Sequence, residues 1–83
     1  MGRYYHFSKT VSKEESEEIL RKMRELENLK SAAITEDRAY LFVTTKDGIF
    51  SEVMGAAVNI CRRAAGGCEL SFDRFSPEKI SAI

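Results

Sequence analysis

Three side chains in this sequence could do soft-metal or nucleophilic chemistry: Cys61, Cys68 and His6, the only two cysteines and the only histidine of 83 residues. A thiolate can grip a soft metal ion or attack an electrophile, and an imidazole can serve as ligand or base. Their spacing narrows those options. Cys61 and Cys68 straddle Gly66-Gly67, which is neither a zinc-finger nor a zinc-ribbon spacing. Cys61 falls on the apolar arc of a predicted helix and is expected to be a buried core thiol. Cys68 opens the last predicted strand and is expected to be partly exposed. His6 and Cys68 are then the residual metal candidates, and they could meet only if the first and last strands are neighbours. No catalytic motif surrounds any of the three. Gly66-Gly67 and Asp47-Gly48 lack the spacing, and the following Lys-Ser/Thr, of a phosphate-cradling loop. An enzyme is not expected.

Charge and hydropathy exclude further classes. Lys plus Arg and Asp plus Glu each number 13, so the net charge is zero. Non-specific nucleic-acid binding depends on a cationic surface, and Tyr40-Leu41-Phe42-Val43 lacks the Lys/Arg-Gly-aromatic pattern of an RNA-recognition strand, so no nucleic-acid partner is expected. Met1 to Val11 has no apolar h-region, and no stretch approaches the ~20 apolar residues of a membrane span. The expected location is cytoplasmic, with both thiols reduced and no direct membrane insertion.

The elements that must position these groups are legible from period and punctuation. Arg3 to Ser8 is aromatic-rich and reads as a strand, with Tyr5 and Phe7 on one face and Tyr4 and His6 on the other. Ser12-Lys13-Glu14-Glu15 is a capping box, and Ile19, Leu20, Met23 and Leu26 follow at helical spacing, predicting a helix from Lys13 to about Glu27. Leu29 to Thr35 and Ala39 to Thr45 form a hairpin around the polar turn Glu36-Asp37-Arg38. The second of these strands is apolar on both faces and belongs inside the sheet. Asp47 is expected to cap a second helix that runs to Gly66-Gly67, a left-handed stop. Cys68 to Asp73 alternates as a last strand with Leu70 and Phe72 inward. The order βαββαβ predicts an α+β, ferredoxin-like two-layer sandwich: a four-stranded antiparallel sheet with two helices on one face. Residues 1–75 form that domain. Residues 76–83 form a tail in which Ser76-Pro77 resembles a helix start, or the beginning of a longer chain.

Within that frame, Leu26-Glu27-Asn28-Leu29-Lys30-Ser31-Ala32-Ala33-Ile34 followed by Ala39-Tyr40-Leu41-Phe42-Val43 resembles the helix end and hairpin of heavy-metal-associated domains. The closing Ile60-Cys61-Arg62-Arg63 and Leu70-Ser71-Phe72 are similar to the last helix and strand of the same family. Such domains occur as copper chaperones and as N-terminal modules of heavy-metal P-type ATPases. The family's signature is a Cys-x-x-Cys pair between the first strand and first helix. Here that stretch, Ser8 to Glu15, holds no cysteine, so no metal ligand carries over. The resemblance implies a non-catalytic binding or regulatory module of a cation-transporting ATPase without the usual site. Cu, Zn or Cd would be the ions of the family, and the expected content is none. The alternative is a stand-alone ferredoxin-like interaction or dimerisation domain.

The second helix is apolar over roughly 200° of its circumference, where a one-sided helix needs little more than ~100°. Ile49, Val53, Ala57, Ile60 and Ala64 are expected to cover the sheet. The neighbouring stripe packs partly on Met23 and Leu26. Its outer edge, Phe50, Met54 and Val58, is the expected interface, either in a homodimer or with other domains of a larger transporter.

Overall fold

The computed structural model describes residues 2–76. Its elements are β1 (Gly2–Phe7), α1 (Lys13–Met23), β2 (Leu29–Ile34), β3 (Tyr40–Thr45), α2 (Ser51–Ala64) and β4 (Leu70–Ser76). They form one antiparallel sheet of order β2-β3-β1-β4, the ferredoxin-like α+β sandwich expected from the element order. The helix start expected at Pro77 lies outside the described residues.

Local chemistry sets each boundary. α1 begins at the capping box: Ser12 Oγ accepts from the Glu15 N–H at 3.0 Å, and Glu15 Oε1 accepts from the Ser12 N–H at 2.8 Å. Those contacts, with the Ser12 N–H first, hold the Glu15 carboxyl below its ordinary pKa. α1 ends at Met23 rather than near Glu27, because the Glu25 and Leu26 N–H groups bond three residues back, to Lys22 and Met23, tightening the chain out of α geometry.

α2 also differs from expectation. It starts at Ser51 with Phe50 at the cap position and no side-chain cap. Asp47 instead closes the preceding turn, its Oδ1 accepting from the Ile49 N–H at 2.9 Å and from Asn28 Nδ2 at 2.8 Å. The helix ends as read: Gly66 and Gly67 have φ of 57° and 86°, and the Gly67 N–H returns to the Arg62 carbonyl at 2.7 Å.

The core lies between the helices and one face of the sheet. Phe7, Leu41 and Val43 come from the central strands, Ile19 and Met23 from α1, and Val53, Ala57 and Cys61 from α2, none more than 3% exposed. The sheet-facing stripe of α2 is therefore rotated from the one expected. Val53 and Ala57 keep their place, but Phe50, Cys61 and Ala65 join them in burial while Ile60 and Ala64 are half-buried and Ile49 is 59% exposed. Ile49 escapes because it precedes the helix, held in the Asp47 turn.

None of the described residues outside the sheet covers its opposite face, and that face is aromatic. The β1–β3 register sets Tyr4 opposite Phe42 and His6 opposite Tyr40. Both ring pairs have centroids 5.0 Å apart, and cross-strand pairs of this kind contribute roughly 0.2–1 kcal/mol each. Gly2 makes room for one of them: a Cβ there would lie 2.4 Å from Phe42 Cε1. The Phe42 ring thus lies down across β1. Gly2→Ala should lift the ring at a cost of about 1 kcal/mol, the low end for overpacking, since only the tip of a side chain must move. Urea denaturation with the Tyr4–Phe42 ring contacts followed by NMR checks this. Unchanged stability and contacts would contradict the geometry.

Candidate functional site

The three chemistry-bearing side chains are not brought together. His6 lies on the open face of β1, exposed, its ring edge-on to Tyr40. Cys61 and Cys68 both lie in the core, 0% and 1% exposed. The first and last strands are indeed neighbours, with His6 opposite Ser71, but the sheet separates His6 from Cys68. Cys68 also precedes β4 rather than opening it. Its burial corrects the expected exposure: the glycine turn folds the chain back so that its Sγ meets Ser8 Oγ at 3.8 Å. Among the described residues, no three of His, Cys, Asp and Glu gather as a metal would need.

The loop where the resembling family holds its metal is built differently here. Val11 is 1% exposed, and its carbonyl accepts from Arg38 Nε at 2.9 Å. Lys9 Nζ sits 3.7 Å from Glu15, and Ser8 Oγ accepts from the Glu69 N–H at 2.9 Å. Two cations and a buried valine are poor company for a divalent or soft cation.

Cys61 is chemically quiet. Burial pushes its thiol up to about 12, with the nearby Cys68 adding to the shift, so it carries no thiolate near neutral pH.

Two surface features stand out among the described residues. One is an apolar end formed where β4 runs beyond the cover of α2. Phe72 and Phe75, 50% and 54% exposed, have centroids 5.0 Å apart. Phe72 was expected inward; it does stand on the core side, edge-on to Tyr5 at 5.9 Å, but at the uncovered margin. The Arg3 guanidinium lies 4.1 Å from the Phe50 centroid and 5.3 Å from that of Phe75, joining the pair to a groove of about 410 Å³ lined by Arg3, Tyr5, Gly48, Ile49, Phe50 and Met54. Of the three residues expected at an interface, Phe50 is buried beneath Arg3, Met54 borders the groove half-buried, and Val58 is half-buried on α2. Sequence reasoning missed Ile49 because helical spacing places it on the sheet-covering stripe, Phe72 because alternation places it inward, and Phe75 because it lies beyond the strand as read. The second feature is the ring-lined open face, bordered by Arg74, whose guanidinium lies 4.4 Å from the Tyr4 centroid and 5.5 Å from that of Tyr40.

No helix among the described residues is long and apolar enough to cross a membrane. No family model, curated protein or solved structure matches the chain, so the likeness to heavy-metal-associated domains rests on the residues quoted for it.

The raised Cys61 pKa has a definite sign for stability. Unfolded chain loses that proton above about 9 while folded chain keeps it to about 12, so the contribution is intact below pH 9 and falls away between pH 9 and 12. Cys61→Ala should flatten that part of the stability–pH curve, measured by urea denaturation against the parent. Equal slopes in the two proteins would contradict a buried, protonated Cys61.

Proposed function

We propose that this chain is a non-catalytic interaction module, resembling the heavy-metal-associated domain of a cation-transporting ATPase in pattern but acting by docking rather than by carrying metal. The observation that supports this most is the apolar end of the sandwich. Three large apolar side chains there, Ile49, Phe72 and Phe75, are each at least half exposed and are linked through Arg3 to one groove. A contiguous patch of that kind is unusual on a surface that meets only water. Arg3 adds what protein interfaces favour at their centre, a guanidinium over aromatic rings. The partner surface is a second copy or another domain of a larger transporter. The absence of a Cys-x-x-Cys pair, the burial of both thiols and the Lys9–Glu15 pair in the β1–α1 loop all weigh against metal carriage.

Sedimentation velocity over a wide concentration range tests the second-copy form. The wild type should associate as concentration rises, and Phe72→Glu should remain a folded monomer with at least tenfold weaker association. A wild type monomeric at millimolar concentration would remove that form. Titration with Cu(I), Zn(II) and Cd(II) tests the other half: no binding tighter than about 1 µM, or roughly 8 kcal/mol, is expected. A submicromolar complex would overturn docking without metal.

A further inference from the structure

We propose that residues 77–83 of this chain seat in cis on the apolar end of the sandwich, over the groove beside Arg3 and Phe50, so that a docking partner must displace them. The displacement rests on the docking role proposed above; the seating does not. Segment and groove meet at one corner. Ser76, the last residue of β4, lies opposite Gly2, and Phe75 lies opposite Arg3. The Arg3 guanidinium is 5.3 Å from the Phe75 centroid and 4.1 Å from that of Phe50. The chain therefore leaves the sheet at the mouth of the groove that Arg3, Ile49, Phe50 and Met54 help to line. Ile80, four residues beyond Ser76, has a reach of about 13 Å. That is more than the two short steps from Phe75 through Arg3 to Phe50 require.

The segment carries what the groove takes. Ile80 and Ile83 are its large apolar side chains, and Glu78 is its only acid. Residues three apart share a face in a helical turn, and a Ser-Pro start favours such a turn. On that face the two isoleucines meet Ile49, Phe72 and Phe75, each at least half exposed. Glu78, two residues beyond Ser76, is within reach of the Arg3 guanidinium, and a carboxylate bonds a guanidinium at its edge while rings stack on its face.

The tether selects this occupant over a second copy. Only three residues separate Ile80 from the sheet. A segment on so short a linker meets its site at an effective concentration in the millimolar range. A second copy at micromolar concentration displaces it only by binding the groove correspondingly more tightly. The apolar end is then covered at rest and opens to a partner whose affinity exceeds that of the tethered isoleucines.

NMR of the full 83-residue chain with labelled isoleucine methyls tests the seating. The Ile80 methyls should show NOEs to the Phe50 or Phe75 ring and ring-current upfield shifts that do not change with protein concentration. Absence of those NOEs would overturn the seating and leave the docking role standing. NOEs seen only between labelled and unlabelled copies would overturn it too, by assigning the groove to a second copy. Ile80→Asp tests the displacement. It should self-associate at least fivefold more tightly than the parent in sedimentation velocity, with the Tyr4–Phe42 ring contacts retained as proof of folding; Ile83→Asp takes its place if it does not fold. Intramolecular NOEs in the parent with no self-association in parent or variant would overturn the displacement and the second-copy docking role, not the seating.

Discussion

The rest of this structure depends on one seam, where Phe7, Leu41 and Val43 of the central strands share a buried cluster with Val53, Ala57 and Cys61 of α2. A chain of 83 residues has little apolar surface to bury, and this seam takes the best of it. Ala57, Cys61 and Ala65 are small and fully buried in it. That burial raises the Cys61 pKa to about 12. A side chain that could have been a ligand is thereby spent on packing.

Committing both helices to one face has two consequences. Among the described residues the other face has no cover, and the cross-strand register lines it with rings. β4, an edge strand, extends past α2, and its register shift between the partners of Tyr4 and Tyr5 carries Phe75 as well as Phe72 to the margin. Bulges commonly re-aim side chains at sheet edges. The exposed apolar and aromatic surfaces are thus where the helices stop covering the sheet. Ion pairs add little to either: Arg62–Glu69, at 3.0 Å across the glycine turn, is more than half exposed, and such pairs contribute about 0–1 kcal/mol.

Legibility followed locality. The capping box at Ser12, the glycine stop after Ala65 and the hairpin at Glu36–Arg38 are written in neighbouring residues, and with them the element order and the fold. What was not legible depends on contacts distant in sequence. Asp47 looked like a helix cap, but Asn28 engages it from another loop and the helix starts later. Cys68 looked exposed until the return of the chain over Ser8 buried it. Phe72 alternates correctly onto the core side, yet alternation cannot say how far α2 reaches. The broad apolar arc of α2 was visible, but its centre was not, since Ile49 and Phe50 differ by one residue and only tertiary packing chooses between them. Tyr4 and His6 were placed on one face, but their meeting with Phe42 and Tyr40 is a matter of register, which a single strand does not encode.

The central claim is that one face of the sheet is sealed by the helices while the other presents its rings. Solvent paramagnetic relaxation of ring protons measures this directly, and with three tyrosines and one histidine the signals are few. Tyr4, His6 and Tyr40 should relax strongly with a soluble paramagnetic agent while Tyr5 and Phe7 stay shielded. Strong relaxation of Tyr5 and Phe7, or shielding of Tyr4 and Tyr40, would contradict the account.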